Sequence, residues 1–154
     1  MELFVTTYAR NSKLAAYQSV SVHGGVANAD PHGMVQMLMD AAAERMAIAR
    51  GCIERGERAR QAKLLHSCVM IVGELRASLN IAAGGPLAQN LSDLYEYMIR
   101  QLVLANAKSD AGGVLEVSRL LEEIRSAWIA IGPEVRKSAR VAAPATMNAA
   151  AHAG

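Results

Sequence analysis

The sequence of 154 residues is long enough for one domain and too short for two ordinary ones. Hydrophobic residues make up 52% of it and charged residues 19%, which excludes the intrinsically disordered class because such chains are poor in apolar residues. Aromatic residues are only 4%, whereas the helix formers alanine and methionine are common, so an all-β fold is not expected.

The formal net charge of +2 arises in the C-terminal residues 133–154, where Arg136, Lys137 and Arg140 outnumber Glu134. Basic and acidic residues balance in the rest of the chain. Because proteins that bind nucleic acid present a broad positive field, we expect no nucleic-acid partner.

The N-terminus lacks the basic region and apolar run of a signal peptide, and no apolar stretch approaches the ~20 residues that a membrane span needs. Cys52 and Cys68 have no zinc-site spacing and fall at apolar positions of helical patterns. We therefore expect a cytoplasmic protein without membrane insertion, in which both thiols are buried and reduced.

Helical periodicity and turn signals predict an all-α fold, an antiparallel four-helix bundle with an additional short N-terminal helix. The predicted helices are 12–20, 31–55, 58–83, 87–108 and 113–131. Asp30 and Pro31 are typical of a helix start, and glycine followed by proline, at Gly85-Pro86 and Gly132-Pro133, is typical of a helix end.

These elements divide the chain into three parts. Residues 1–22 form a mobile segment that contains the short helix, and residues 23–132 form the helical bundle, entered through a linker with Gly24 and Gly25. Residues 133–154 are rich in alanine and have no apolar period, so they are predicted to be disordered.

Two of the predicted helices carry more apolar width than a bundle core requires. The apolar residues of helix 31–55 span roughly 200° of its circumference, whereas a surface helix needs about 100°. Helix 87–108 has a core stripe, which includes Leu87 and Met98, and a second stripe of Tyr95, Ile99 and Val103. Because methionine also fills core gaps, a flexible groove for a helical partner and an ordinary core are equally good explanations of the methionines in helix 31–55.

No known catalytic, nucleotide-binding or metal-ligating motif occurs in the sequence, so neither a cofactor nor a metal site is predicted. His66 could in principle accept a phosphoryl group, as in histidine phosphotransfer domains. Such domains usually place a lysine three residues later, where this chain has Val69. A half-buried surface histidine is the better explanation, and the basic residues around Gly56 are best explained as a solvated loop.

The stretch from Gly84 reads GGPLAQNLSDLYEYMIRQLVLANAKSD, and VLEVSRLLEEIRSAW follows it and closes on Trp128. Together these motifs resemble the flagellin-specific export chaperone (FliS) family, which has a double glycine, an Asn-Leu-x-x-Leu-Tyr-x-Tyr helix and a final helix that ends at a tryptophan. The resemblance covers about residues 14–130.

The resemblance implies a mostly antiparallel bundle of four long helices plus a short N-terminal one. It implies a cytosolic chaperone, not an enzyme, that binds the disordered C-terminal segment of flagellin, blocks premature polymerisation and helps to deliver flagellin to a component of the export gate. It also implies that the N-terminal segment can cover part of the client surface.

Combining the resemblance with the wide apolar faces gives a set of predicted partner-binding residues. They are Tyr17, Met34, Met37, Met39, Ile48, Tyr95, Ile99 and Val103. Two alternatives stay open at this point: a phosphotransfer module centred on His66, and a self-associating bundle whose extra apolar surface forms a homodimer interface.

Overall fold

The computed structural model of the chain describes the backbone of residues 30–152 and the side chains of residues 30–138. This part is helical and contains no strand, which confirms the all-α class. Its four helices are α1 (Pro31–Arg55), α2 (Arg58–Ala77), α3 (Ile81–Lys108) and α4 (Ala111–His152). The predicted helix 12–20 lies outside the described residues.

The bounds of α1 agree with the prediction because both of its ends are set by local signals. The Asp30 carboxylate accepts a hydrogen bond from the backbone N–H of Gly33 at 2.7 Å, and Pro31 occupies the first turn. At the other end Gly56 adopts the left-handed conformation, with φ at 71°, and its N–H bonds to the carbonyls of Cys52 and Ile53.

The predicted boundary between the second and third long helices is wrong. α2 ends at Ala77 instead of residue 83, and Asn80 caps α3 by accepting a hydrogen bond from the N–H of Ala83 at 3.1 Å. An asparagine side chain that satisfies a free backbone N–H starts a new helix. Gly85, with φ at 54° and ψ at −136°, therefore breaks α3 instead of ending α2.

The predicted end of the last helix at residue 131 is also wrong, since α4 continues to His152 through Pro133 and Pro144. Its 42 residues would extend about 63 Å at 1.5 Å per residue. Residues 133–152, which were predicted to be disordered, are thus part of this helix. Alanine is the strongest helix former, and its abundance here outweighs the stop signal of the two prolines.

The helices enclose one hydrophobic core, in which α1 packs against α2 and α4, and α3 packs against the same two helices. The buried core residues are Met39, Ala42, Met46, Ala49, Leu65, Cys68, Ile71, Val72, Leu75, Tyr95, Met98, Leu102, Ala105, Val114, Val117 and Leu121.

Contacts between neighbouring helices pair residues in opposite order, as antiparallel neighbours do. The start of α2 reaches the end of α3 through Gln61 and Asn106, whereas the end of α2 reaches the start of α3 through Arg76 and Ser92. In α1 and α4, Asp40 contacts Arg125 at 2.5 Å and the sulfur of Met46 accepts a hydrogen bond from Ser118.

Candidate functional site

The most exposed large apolar side chains of the described residues lie on α3 and α4, and none lies on α1 or α2. On α3, 70% of Leu87, 54% of Val103 and 49% of Leu104 is exposed. The full set is Ile81, Leu87, Val103, Leu104, Ile129, Ile131 and Val135. We call these seven residues the apolar surface set.

Leu87 was predicted to lie in the core stripe of α3, and this prediction is wrong. The buried stripe instead starts at Ala88 and continues through Ser92 and Tyr95. A Cβ atom on Gly84 would lie 2.5 Å from the Cβ of Ala88, so only glycine allows the first turn of α3 to fold back onto Ala88. This close approach covers Ala88 and leaves its neighbour Leu87 outside.

The predicted partner-binding residues do not form one exposed surface. Val103 is exposed, and Met34, Met37, Ile48 and Ile99 are half-buried. Tyr17 lies outside the described residues.

Met39 and Tyr95 were placed on wide apolar faces, and this placement is wrong because both are buried in the core. For Tyr95 the low-polarity surroundings raise the pKa of the phenol to about 12. Neither side chain can contact a partner while the core is intact.

Sequence reasoning missed Leu104, Ile129 and Val135 and placed Ile131 in a core stripe. The signal that could have found Leu104 is its position on the side of α3 opposite Tyr95 and Leu102, both of which are buried. For Ile131 the angle alone is misleading, because the adjacent Gly132 is the residue that packs against α1, through the ring of His32.

Paired charges lie along the exposed side of α3. The Glu96 carboxylate forms ion pairs with Arg76 at 3.2 Å and with Arg100 at 3.3 Å. The hydroxyl of Tyr97 donates to Glu116 at 2.6 Å, and this hydrogen bond raises the pKa of Tyr97. These charged and polar groups are therefore already paired within the chain. The exposed groups of α3 that could gain most from contact with a partner are its apolar side chains.

The basic residues around Gly56 are likewise engaged within the chain. Arg55 donates to Glu57 at 2.6 Å, which lowers the pKa of that carboxyl, and Arg60 lies 3.9 Å from the same residue. Arg58 donates to the carbonyl of Ala107 at 3.3 Å. These contacts agree with a solvated loop between helices.

A buried polar residue that sequence reasoning missed joins α2 to α3. Gln61 is 1% exposed, and its amide nitrogen donates to the backbone carbonyl and to the side-chain oxygen of Asn106 at 3.1 and 3.0 Å. The Ser109 hydroxyl donates to the Gln61 amide oxygen at 3.3 Å. The apolar period predicted that Ala62 would face inward, and Ala62 is only half-buried.

The predicted burial of both cysteines is confirmed, and neither forms a disulfide. Burial raises the pKa of the Cys68 thiol to about 12, so the nucleophilic thiolate is disfavoured. His66 is exposed on α2 and Val69 is half-buried. Within residues 30–138 no three histidine, cysteine or acidic side chains are grouped as a metal site requires. None of the described helices combines the length and apolar character needed to cross a membrane.

Residues 13–135 match the family model described as flagellar protein FliS. The chain belongs to the FliS family. The resemblance predicted from the sequence motifs is thereby confirmed, and the FliS match leaves out the last part of α4, from residue 136 onward.

Curated relatives agree with this family. The flagellar secretion chaperone FliSB of Pseudomonas aeruginosa is 45% identical over 112 residues, which are 73% of this chain and 89% of that protein. The flagellar secretion chaperone FliS of Salmonella typhimurium is 40% identical over 124 residues, covering 80% and 92% of the two chains. The Bacillus subtilis protein of the same name is 32% identical over 113 residues, covering 73% and 80%.

Proposed function

We propose that this chain is a cytoplasmic flagellar export chaperone whose client is the C-terminal segment of flagellin. The family supplies the role, because the FliS relatives are named flagellar secretion chaperones. The apolar surface set supplies the observation that carries the binding proposal. Large apolar side chains exposed on two neighbouring helices, α3 and α4, are available for contact with another macromolecule.

The client would bind along α3 and onto the end of α4, where the apolar surface set lies. A disordered segment loses conformational entropy when it orders, so it needs a large apolar contact to compensate. Fully burying a leucine or valine side chain contributes about 1.5–3 kcal/mol. Several such residues along one helix suit an amphipathic client helix that places its apolar side on α3.

This binding requires no chemical step. By covering the C-terminal segment of flagellin, the chaperone would prevent that segment from pairing with other flagellin chains, and so would block premature polymerisation. The bound complex would then be delivered to a component of the export gate. The half-buried Ile99 on α3 would lie at the margin of the client contact, and Met34 and Met37 would lie near its part on the end of α4, which packs on the start of α1. Ile48 would lie outside this contact, because the neighbouring Met46 packs beside Ser118 near the start of α4.

Residues 1–22, including Tyr17, would cover part of the client surface in the free protein. This part of the proposal rests on the family resemblance and on the apolar positions in the segment. Deleting these residues should increase the binding of a hydrophobic dye and tighten client affinity. Unchanged dye binding and unchanged affinity would contradict it.

The decisive experiment is a calorimetric titration of the chain with a peptide from the flagellin C-terminus. We expect a complex of one chaperone with one client, and no binding to flagellin that lacks this segment. Leu87→Gln and Leu104→Gln should each weaken the affinity by about tenfold, since 1.4 kcal/mol corresponds to a factor of ten.

The matched control is Ala59→Gln, which changes an exposed position on α2, a helix without members of the apolar surface set. Its affinity should equal that of the unchanged chain. If all three variants bind the peptide normally, the client contact lies elsewhere. If the chain sediments as a dimer that the client does not dissociate, the apolar surface set is a homodimer interface instead.

A further inference from the structure

The first turn of α1 is joined to α4 by an aromatic stack that the client contact does not use. The ring of His32 is parallel to the indole of Trp128, with centroids 4.3 Å apart and an angle of 6° between planes. The indole N–H of Trp128 donates to the backbone carbonyl of His32 at 2.9 Å. A Cβ atom on Gly132 would lie 3.0 Å from Nε2 of His32, so the ring fills its slot tightly.

The imidazole of His32 is buried without hydrogen bonds. The residue is 3% exposed, and neither Nδ1 nor Nε2 has a hydrogen-bond partner among the described residues. Most buried side-chain polar atoms in proteins do have a partner, so an orphaned ring calls for a physical reason. A neutral ring leaves one donor and one acceptor unsatisfied, whereas a protonated ring would leave two donors and a charge.

The charged groups that face this ring come from α1 and α4. Among the described residues, the carboxylate that interacts with this ring is Asp30. The N–H of Gly33, the guanidinium of Arg136 at 3.2 Å and the His32 ring all lower the pKa of Asp30. The Asp30 side chain is 40% exposed, so solvent screens its attraction for a further cation. Arg136 and the positive end of the α1 dipole both oppose a second positive charge at this point.

We propose that the His32–Trp128 stack is a proton-sensitive latch that holds the start of α1 against α4 while the imidazole is neutral. Protonation places a charge and two N–H donors in a slot where the described residues offer no acceptor, and the stack opens. The face of an indole attracts a cation and opposes this opening, but it accepts no in-plane N–H bond from a ring stacked parallel to it. Opening separates the first turn of α1 from α4 and loosens the neighbouring stretch of α4 with Ile131 and Val135.

Trp128 is the only tryptophan of the chain, so its fluorescence reports on the latch directly. The experiment compares the full chain with His32→Phe between about pH 7.5 and 5.5, the range in which histidine side chains ordinarily change charge. The phenyl ring keeps the stack and cannot be protonated. On acidification the unchanged chain should show emission at longer wavelength and a thermal midpoint lower by a few degrees, whereas His32→Phe should show neither change.

Three results would overturn the proposal. The first is the same pH profile in both proteins, which would assign the change to other groups. The second is a midpoint of the unchanged chain that stays constant or rises on acidification, which needs no variant and therefore holds even if His32→Phe fails to fold. The third is loss of the acid response in Arg136→Gln while His32→Phe retains it, which would place the titration at Asp30. No client is needed, so the outcome is independent of the proposed function.

Discussion

α1 and α3 both carry apolar residues over more of their circumference than a bundle core requires, yet the two helices differ in how many of these residues are exposed. α1 exposes no large apolar side chain, whereas α3 exposes Ile81, Leu87, Val103 and Leu104. The core positions of α1 include Ala42 and Ala49, neither of which is exposed at all. α2 and α4 approach the backbone of α1 closely along its length and cover its flanks.

α3 buries a similar mixture of small and large side chains, with Ala88 and Ala105 beside Tyr95, Met98 and Leu102. The backbone of α3 approaches α2 and α4 at fewer points than the backbone of α1 does, so the apolar residues beyond the core stripe of α3 stay uncovered. The comparison teaches that apolar width by itself does not identify a binding face. How closely the neighbouring helices approach along the helix decides whether that width is covered.

The largest expected effect tests whether the two helices share one core. Met46 on α1 and Met98 on α3 are both fully buried, so Met46→Ala and Met98→Ala should each lower the free energy of unfolding by about 2–5 kcal/mol. Urea denaturation followed by circular dichroism measures both losses. A loss below about 1 kcal/mol for Met98→Ala would mean that α3 is only loosely attached to the core.

The next effect concerns alkaline pH and separates the buried side of α3 from its exposed side. Burial raises the pKa of Tyr95 from 10.0 to about 12, so the folded state keeps the phenol protonated where the unfolded state ionises it. Its contribution to stability is complete below pH 10 and is lost as pH rises towards 12, by roughly 2–3 kcal/mol at 1.36 kcal/mol per pKa unit.

Tyr95→Phe should reduce the slope of unfolding free energy against pH in this range. The Cys68 thiol contributes its own alkaline loss in both proteins, because its pKa is also raised by burial. Equal slopes for Tyr95→Phe and the unchanged chain would show that the phenol of Tyr95 reaches solvent.

A smaller effect tests how α3 is held near its exposed residues Val103 and Leu104. Gln61→Ala removes the hydrogen bonds to Asn106 and leaves buried groups unpaired, so it should cost about 1–3 kcal/mol. Gln89→Ala is the matched control, because Gln89 is exposed on α3 and bonds only to Asp93 at 3.0 Å among the contacts described here. Thermal unfolding that is the same for both variants would argue against an anchoring role for Gln61.

The smallest expected effect on stability tests most directly whether the apolar residues of α1 are covered while those of α3 are exposed. Leu104→Gln should change the free energy of unfolding by no more than about 0.5 kcal/mol, because the side chain is half-exposed on the outer face of α3. Met39→Gln, at a buried position of α1, should destabilise the fold clearly. If the two variants unfold at the same denaturant concentration, the covered and uncovered faces are not distinct.

Sequence reasoning located the start and end of α1 because Asp30, Pro31 and Gly56 act through hydrogen bonds within one turn. It missed the end of α2 at Ala77, where the Asn80 cap competes with a glycine and proline signal a few residues later. It also missed the burial of Gln61, since a polar residue can be buried only when a partner such as Asn106 is brought to it by another helix.

The apolar character of the candidate site was predictable from the sequence, but the identity of its exposed residues was predictable only in part. The surplus of apolar residues on α3 was visible in the sequence, and Val103, a member of its second stripe, is exposed. Tyr95 lies eight residues earlier on the same predicted stripe and is buried, so a stripe of constant angle changes from covered to uncovered along one helix. The sequence contains no local signal for where that change occurs.

The amino-acid sequence correctly predicts the helical class, the bounds of α1, the burial of both cysteines and the family, because each depends on neighbouring residues or on motifs read in order. The packing of the helices sets which apolar residues are covered, the stack of His32 on Trp128, and the outward position of Leu87 and Leu104. Hydrogen bonds within a turn have a range of four residues, whereas cover depends on the distance between helix axes. That distance is set jointly by side chains that are far apart in the chain.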